Sequence, residues 1–202
     1  MKLFGLLRQL GYLRTSVHSV YGKGVRPWLN FIYYGLFRIN RFRIFRVNLE
    51  DRTDSEFDVP GVEFFNFQPK ELDPLRSVKD LPREFFCDQF HKVSGCCMAT
   101  FDGEIAYIHW VYLQGDFSRF LKIGRDSAEI NYVITLPEYR GHGISSAAFK
   151  YSMQTLKQQG IRNLFAVVHD ENIASIKSFT RAGFTEVGNT FSFGQFNRKV
   201  SV

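Results

Sequence analysis

Apolar and polar residues alternate along most of the chain, and the period of the alternation changes between segments. Short runs rich in β-branched and aromatic residues, a pattern typical of strands, recur after residue 60. The clearest runs are VEFFNF (62–67), GCCMATF (95–101), EIAYIHWVYL (104–113), AEINYVITL (128–136) and NLFAVVH (163–169). Asp102-Gly103, between the second and third runs, is a strong hairpin signal. FRIFRVNLE (42–50) is predicted as a further strand.

Two segments instead follow the 3.6-residue period of an amphipathic helix. Residues 143–159 show that repeat on Ile144, Ala147, Ala148 and Tyr151. NIASIKSFTRAG (172–183) is predicted as a second helix, and FTEVGNTFSFGQF (184–196) as a final hairpin-like pair. Strands that alternate with helices after an initial hairpin predict an α/β (α+β) fold whose sheet is covered on both faces.

The N-terminal part of the chain differs from the rest in charge. Residues 1–50 hold nine Lys and Arg against one acid, Glu50, and the remaining 152 residues hold 17 bases and 19 acids. The net charge of +6 therefore describes a basic arm on a near-neutral body. The acidic stretch EDRTDSEFDVPG (50–61) predicts a linker. We expect a basic, aromatic, helical extension (1–59) and one domain (60–202).

Three alternatives stay open for residues 1–50. Their leucine face and scattered bases suit an anionic membrane surface, and their mixture of aromatics and arginines suits RNA. The arm could instead pack on the body or on a second subunit, as in a homodimer. Contact with a membrane or packing is favoured, and a nucleic-acid partner is not expected. No run reaches the roughly 18 apolar residues that a membrane span needs.

The spacing of the cysteines indicates where the protein is located, and the sequence contains no spacing typical of metal ligands. The three cysteines (Cys87, Cys96 and Cys97) have no disulfide-framework spacing, which favours reduced thiols in a cytoplasmic protein. We therefore expect a cytoplasmic location, with a peripheral position at the inner face of the membrane if the arm binds lipid. No metal is expected.

The stretch EYRGHGIS (138–145) places an arginine and two glycines between the strand 128–136 and the helix 143–159. The first N–H groups of a helix lack internal partners, and glycine lets an anion approach the backbone without a Cβ in the way. Arg140 can add a charged donor. On these residues alone the stretch is either a diphosphate-binding turn or a tight strand-to-helix connection.

The two stretches YVITLPEYRGHGIS and ENIASIKSFTRAGF resemble the GCN5-related N-acetyltransferase (GNAT) superfamily, and the resemblance covers about residues 60–193. The family's acetyl-CoA signature is Arg or Gln, two residues, Gly, one residue, then Gly or Ala. It falls here on Arg140, Gly143 and Ser145. The pattern of the family's later helix falls on Asn172, Ser175, Phe179 and Gly183-Phe184.

The resemblance implies a mixed, mostly antiparallel sheet that is splayed at the signature strand, and a pocket for acetyl-CoA as co-substrate. It implies that the N–H groups around Ile134 and Thr135 bind the pantetheine arm and polarise the thioester carbonyl. The residues implied to hold the pyrophosphate are Arg140, Gly141, His142, Gly143, Ile144 and Ser145. Asn172 is expected to contact CoA, and the alternative is that it only caps its own helix.

A general base must take a proton from the attacking amine. Glu129 lies early on the signature strand, at a place that resembles the glutamate base of the histone-acetylating members. The alternative is a strand-edge glutamate in a salt bridge. Strict alternation would put Glu129 on the same face as Asn131, Val133 and Thr135. Glu104 and His109 are second choices for the base.

Phe179 stands where many members have a tyrosine that protonates the departing CoA thiolate, and a phenyl ring cannot donate a proton.

The predicted function is N-acyl transfer, usually of acetyl, from acetyl-CoA to an amine. The acceptor is an unidentified small metabolite, amino sugar or protein amine, and the arm would place the reaction at a membrane surface. The alternative is a non-catalytic CoA-binding or regulatory module with the same fold.

Overall fold

The computed structural model describes residues 28–29, 39–51, 58–77, 80–193 and 196–202. The helices predicted in the extension, over residues 1–14 and 28–42, lie mostly outside these ranges, apart from Trp28 and Leu29. The end of the second one is wrong, because Ile39–Asn48 form a strand. The chain divides into a larger compact unit, residues 42–190 with 199–202, and a smaller one, residues 1–41 with 191–198. The candidate site lies in the larger unit.

The described residues form ten strands, three α-helices and three 3₁₀-helices. The strands are β1 Ile39–Asn48, β2 Val62–Phe67, β3 Gly95–Phe101, β4 Glu104–Tyr112, β5 Leu121–Lys122, β6 Ser127–Thr135, β7 Asn163–His169, β8 Thr185–Phe193, β9 Phe196–Asn197 and β10 Val200–Ser201. The α-helices are α1 Asp73–Arg76, α2 Ile144–Gln158 and α3 Ile173–Arg181, and the 3₁₀-helices are Pro69–Leu72, Arg83–Gln89 and Pro137–Tyr139.

One mixed sheet organises the larger unit, with the strand order β2-β3-β4-β6-β7-β1-β8. The pairs β2–β3, β3–β4, β4–β6 and β1–β7 are antiparallel, whereas β6 and β7 are parallel. This mostly antiparallel sheet confirms the predicted fold class. Within the smaller unit, the end of β8 pairs with β9 through Ser192 and Asn197.

Strand β1 lies in the interior of this sheet, although it comes first in the described chain. Its residues 42–48 pair with β7, from Phe42 opposite His169 to Asn48 opposite Asn163. The domain boundary predicted at residue 60 stays a prediction, but the body of the sheet includes this earlier strand. The strand predicted from the pattern of FRIFRVNLE is therefore confirmed.

Helices cover both faces of the sheet, as the alternation of elements predicted. On one face, α2 and α3 contribute Phe149, Leu156 and Phe179 to a core that includes Ala128 and Ile130 of β6. On the other face, the short helices between residues 69 and 89 contribute Leu72 and Phe85, which pack with Ile108 and Trp110 of β4. The sheet thus separates two apolar layers.

A β-bulge interrupts β6 and changes which side chains share a face. Asn131 lies opposite Trp110 and Ile134 opposite Ile108, so two residues of β6 lie opposite the single residue His109. One of the two, Tyr132, has a left-handed backbone with φ of 48°. The predicted strict alternation is therefore wrong. Glu129 and Asn131 share the face of β4 residues Tyr112 and Trp110, whereas Val133 and Thr135 lie on the opposite face, because one extra residue reverses the alternation beyond it.

Candidate active site

The turn between β6 and α2 leaves its backbone open. Gly141 and Gly143 have φ of +88° and +77°, a left-handed conformation that costs other L-residues roughly 1–2 kcal/mol each. A Cβ added at either glycine would meet nothing within 4 Å. Gly143 is the N-cap of the 15-residue helix α2, whose first turn holds no acid. The helix N-terminus thus presents free N–H groups and a favourable dipole to an anion.

Strands β6 and β7 separate at the same end of the sheet. Residues Ser127–Ile130 pair with Asn163–Ala166, and no pairing between the described residues of the two strands continues beyond Ile130. The bulge at Tyr132 accounts for this, because a bulge bends its strand and increases its twist. The splay that the family resemblance implied is therefore present, and it exposes the β6 backbone that faces β7.

A pocket of about 460 Å³ lies where the open strand, the glycine turn and helix α3 meet. It is lined from β6, the turn and α2 by Val133, Ile134, Thr135, Tyr139, Arg140, Gly141, Gly143, Ile144, Ser145 and Phe149, and from α3 by Ala174, Ser175, Ser178 and Phe179. Its volume lies within the ~300–1,000 Å³ of small-molecule sites. The open turn, the splayed strand and this volume fit the diphosphate and pantetheine arm of acetyl-CoA.

Seven of the nine predicted cofactor-binding residues line this pocket, and His142 and Asn172 do not. The His142 ring lies with Nδ1 3.2 Å from the carbonyl oxygens of Tyr139 and Arg140, where an Nδ1–H donates to the turn. The Asn172 side chain accepts a hydrogen bond from Ser175 N at 3.2 Å and caps α3. The capping alternative for Asn172 therefore holds in the structure, and its contact with CoA stays a prediction.

Arg140 folds back onto the end of β6. Its Nε donates to the carbonyl oxygen of Thr135 at 3.2 Å, and its side chain lines the pocket. This bond keeps the guanidinium beside the glycine turn, where its remaining N–H groups can add to the backbone donors. Ser145, the residue that departs from the family signature, lies 3.4 Å from Ser178 Oγ through its own Oγ.

Phe179 closes the inner wall of the pocket with an apolar ring. It is 3% exposed and stacks on Phe149, with ring centroids 4.4 Å apart and planes at 9°. The pocket lining does contain hydroxyl groups, on Thr135, Tyr139 and Ser145 and, from the same helix as Phe179, on Ser175 and Ser178. Ser178 was missed in the sequence, although it precedes Phe179 directly and its spacing from Ser175 puts both serines on one helix face.

Glu129 is fully buried on the sheet face opposite α2. Burial raises the pKa of its carboxyl to about 7, against the opposing effect of the Ser118 hydroxyl, the Asn131 amide and the Lys199 ammonium. Its Oε1 accepts from Asn131 Nδ2 at 3.1 Å. No ion pair within the described ranges includes Glu129, so the strand-edge salt bridge is absent there.

Two buried oxygen atoms beside Glu129 lack hydrogen-bond partners in the described part of the chain. They are Glu129 Oε2 and the phenol oxygen of Tyr112, which lies opposite Glu129 on β4 and is 1% exposed. Buried polar atoms rarely lack partners in folded proteins, so such a pair is where an ordered water molecule or a polar group of another molecule would bind. Tyr112 was missed in the sequence, where it reads as an ordinary strand aromatic.

The two second choices for the base lie elsewhere. His109 is fully buried, with Nδ1 2.9 Å from the Tyr107 hydroxyl and Nε2 2.9 Å from Ser152 Oγ. Burial lowers the pKa of His109 to about 3, which keeps the ring neutral as an internal hydrogen-bonding group. Glu104 is exposed beside the hairpin turn at the opposite edge of β4.

The fold and the pocket together define a mixed α/β protein in which a small-molecule site lies at the open end of the central sheet. The chain matches the acetyltransferase (GNAT) family over residues 51–184 and belongs to that family. No curated protein matches it. Among the residues that the structure describes, no helix is long and apolar enough to cross a membrane, and no group of side chains could hold a metal ion.

Solved structures show the same fold at low sequence identity. A GNAT acetyltransferase from Novosphingobium aromaticivorans is 17% identical with a TM-score of 0.53, and the alignment covers 77% of this chain and 64% of that one. A GCN5-related N-acetyltransferase from Sphaerobacter thermophilus is 13% identical with a TM-score of 0.55, covering 82% and 54%. A fungal β-N-acetylglucosaminidase with a glucosamine N-acetyltransferase region is 16% identical with a TM-score of 0.58, covering 82% and 22%. The chain thus spans less than two thirds of each.

Proposed function

We propose that the protein transfers an acetyl group from acetyl-CoA to a primary amine. The observation that carries this proposal is the pocket of about 460 Å³, because it joins the splayed end of β6 to the open glycine turn at the start of α2. A bound acetyl-CoA supplies the acetyl group as an activated thioester. Family membership supports the same class of reaction.

The backbone of β6 and the glycine turn does most of the binding. Donors from residues 140 to 145 hold the diphosphate, and the N–H groups around Ile134 and Thr135 hold the pantetheine arm and the thioester carbonyl. With both ends held, the acetyl carbon would lie near the splay between β6 and β7. Such positioning of two reactants is a large part of catalysis in a direct transfer.

Glu129 is the proposed base. A carboxyl with a pKa of about 7 is ionised in about half of the molecules at neutral pH and has a proton affinity suited to general base catalysis. It lies on the same strand as Val133 of the pocket but on the opposite face of the sheet, so an amine that approaches the splay from that face would give it a proton directly or through a water molecule. The CoA thiolate needs little help to leave, because a free thiol has a pKa of roughly 8.5.

The acceptor and its location are also proposals. A small metabolite, an amino sugar and a protein amine all fit a reaction at a primary amine, and the glucosamine N-acetyltransferase region named above belongs to a protein of the same fold. The basic arm would hold the enzyme at the inner face of a membrane, which would favour an envelope-linked acceptor. Residues 1–38 that form most of this arm lie outside the described ranges, apart from Trp28 and Leu29.

Phe179 favours a second candidate function, a CoA-binding module without catalysis. The phenyl ring stands where a proton-donating hydroxyl would be expected, and its stack on Phe149 fixes it there. Such a module would bind acetyl-CoA in the same pocket and acetylate no amine. The two functions therefore share the cofactor site and differ only in turnover.

Titration calorimetry with acetyl-CoA tests the shared part of both functions. We expect micromolar binding by the unaltered protein and no measurable binding by the Arg140→Ala, Gly143→Val double variant. Gly160→Val is the matched control, because Gly160 has φ of +84° and equally open surroundings but lies at the other end of α2. Loss of binding in the control as well would assign the effect to backbone strain, and no binding by the unaltered protein would refute the proposal.

A further inference from the structure

Side chains in contact with one another form a partial ring beside Glu129 on the sheet face opposite α2. Lys199 Nζ lies 5.4 Å from the centre of the Phe117 ring, and Phe117 stacks on His91 with centroids 5.1 Å apart and planes at 7°. His91 in turn stacks on Tyr132 at 5.7 Å, and its Nε2 is 3.1 Å from the Tyr132 hydroxyl. Tyr132 and Phe117 are 37% and 51% exposed, so the rim of this ring opens to solvent.

The floor of the ring contains two buried oxygen atoms without hydrogen-bond partners in the described part of the chain. Tyr112 lies 6.4 Å from Tyr132 between ring centres and opposite Glu129 in the β4–β6 register. Tyr112 Oη and Glu129 Oε2 are two of the three buried side-chain oxygens that have no hydrogen-bond partner among the described residues, and the third, Ser192 Oγ, lies on β8. Both oxygens can accept hydrogen bonds, and an ammonium group has three donors and no acceptor. We call His91, Tyr112, Phe117, Tyr132 and Lys199 the Glu129 ring.

The aromatic faces of the ring fit the same kind of group. A cation is attracted to the face of an aromatic ring within about 6 Å of its centre. Lys199 already makes such a contact with Phe117. A buried carboxylate oxygen, a phenol oxygen and an aromatic rim together make a site for a primary ammonium. Lys199 is the ammonium that the chain itself supplies there.

Backbone hydrogen bonds hold Lys199 at this place. Strand β10 begins at the next residue, and Val200 N donates to Phe120 O at 2.8 Å. Val202 N donates to Lys122 O at 3.1 Å, and Gly124 N donates to Val202 O at 2.8 Å. The residues that follow Lys199 are thus fixed beside β5, while its own side chain is exposed and free to change rotamer.

We propose that Lys199 is an internal acetyl acceptor that the protein acetylates on its own chain. This inference rests on the proposed function. The Lys199 ammonium moves from the Phe117 ring toward Glu129 and loses one proton to the Glu129 carboxylate. The bond between Nζ and the acetyl carbon then forms as the C–S bond of the thioester breaks. The second proton leaves the nitrogen and is taken up by the CoA thiolate, so the products are acetyl-lysine and CoA.

Self-acetylation would change the ring that produced it. The product amide is neutral, so it removes the cation that lies over Phe117 and beside Glu129. An ammonium from another molecule would then no longer compete with the Lys199 ammonium. The first reaction cycle would therefore remove the positive charge of Lys199 from the ring.

The test is peptide mass spectrometry of the full chain after incubation with trideuterated acetyl-CoA alone. We expect the label at Lys199 to exceed that at Lys122, an exposed lysine on the neighbouring strand β5, by at least tenfold. Labelling within one chain proceeds at the same fractional rate at any protein concentration, so dilution should leave the Lys199 rate unchanged.

Glu129→Gln should slow labelling of Lys199 at least tenfold and leave labelling of Lys122 unchanged, because spontaneous acetylation uses no base. Lys199→Arg should remove the dominant labelled peptide.

Equal labelling of Lys199 and Lys122, or a Lys199 rate that falls in proportion to dilution, would overturn the inference without any variant. Calorimetry on the same preparation separates this failure from failure of the proposed function. Acetyl-CoA binding without preferential Lys199 labelling would refute the inference and leave the proposed function standing. Absence of acetyl-CoA binding would refute both.

Discussion

Two candidate sites lie at strand β6, and they are built from different parts of the chain. We call them the cofactor side, which contains the pocket, and the Glu129 side, which contains the Glu129 ring. The cofactor side uses the backbone of one continuous stretch, from Ile134 to Ser145, and depends on glycines at two left-handed positions. The Glu129 side uses side chains from separate segments, on β4, on β6 and in three loops. A backbone site is fixed by local conformation, whereas a side-chain site is only as stable as the packing that brings its segments together.

One buried ion pair anchors the segment that ends at His91. Arg76 donates to Asp88 through Nη1 at 3.0 Å and Nη2 at 2.6 Å, and its side chain is 5% exposed. Its guanidinium lies over the Trp110 ring of β4 at 5.8 Å, and Trp110 Nε1 donates to Glu84 O at 2.6 Å. The Arg83–Gln89 helix is thereby attached to the sheet directly below the Glu129 side.

Asp88→Ala should produce the largest effect and should separate the two sides. Removal of one partner from a buried pair leaves an uncompensated charge and typically lowers the free energy of unfolding by about 3–5 kcal/mol. We expect a loss of that size in urea denaturation, together with a loss of acetyl transfer. Acetyl-CoA affinity of the protein that stays folded should change less than about threefold, because the residues of the glycine turn do not contact this pair.

Asp73→Ala is the control for this variant. Asp73 also contacts Arg76, at 3.4 Å, but its side chain is 74% exposed, so its loss should lower the free energy of unfolding by less than about 1 kcal/mol. Similar destabilisation by the two variants would show that Asp88 is not the anchor. A parallel loss of acetyl-CoA affinity in Asp88→Ala would show that the two sides are not independent.

The fold was predictable because its main elements are encoded locally. Asp102-Gly103 adopts left-handed φ of 49° and 83° between two antiparallel strands, as the sequence indicated. The bulge at Tyr132 was not predictable, because no glycine marks it and a tyrosine at positive φ is held by tertiary contacts with His91. That single residue made the predicted face of Val133 and Thr135 wrong.

Glu129→Gln should produce the next largest effect, on the Glu129 side alone. Loss of a general base typically lowers kcat by roughly 10²–10⁴-fold. We expect at least the lower figure for CoA release in the presence of a panel of primary amines (an amino sugar, a diamine and a lysine-containing peptide). Acetyl-CoA affinity should be unchanged in calorimetry. Turnover equal to that of the unaltered protein would remove Glu129 from the mechanism.

The same variant should change how stability depends on pH. The pKa of Glu129 is about 7 in the folded protein and 4.5 as its ordinary value, so the unfolded chain loses this proton first as the pH rises. The raised pKa therefore lowers stability progressively from about pH 4.5, and its full effect is present above about pH 7. Glu129→Gln should gain about 2.5 kcal/mol relative to the unaltered protein between pH 5 and pH 8. A pH-independent difference in urea denaturation would show that Glu129 ionises normally.

The cofactor side of the site was predictable, and most of the Glu129 side was not, for the same physical reason. A motif such as RGHGIS specifies backbone conformation, which follows from adjacent residues. His91, Phe117 and Lys199 come together only through the folded sheet and the β5–β10 pairing, and each reads in the sequence as an isolated aromatic, histidine or lysine. Glu129 was found through its resemblance to the family, not through its surroundings.

Phe179→Tyr should produce the smallest effect and tests whether the cofactor side lacks a proton donor. The new hydroxyl would extend from a ring that lines the pocket, where it can protonate the departing thiolate. Because a thiolate is a tolerable leaving group, with a thiol pKa of roughly 8.5, we expect kcat at pH 7 to rise by no more than about tenfold. The gain should vanish above about pH 8.5, where the thiolate no longer needs a proton.

Phe184→Tyr is the matched control for this change. Phe184 is also 3% exposed and meets Phe179 edge to face at 5.0 Å, but it does not line the pocket. Its hydroxyl would be buried without a partner, so this variant should lose about 1–3 kcal/mol of unfolding free energy and gain no turnover. A kcat for Phe179→Tyr that matches the unaltered protein at every pH would mean that proton delivery is not slow. The phenyl ring would then be no obstacle to catalysis, and the strongest argument for a non-catalytic module would fail.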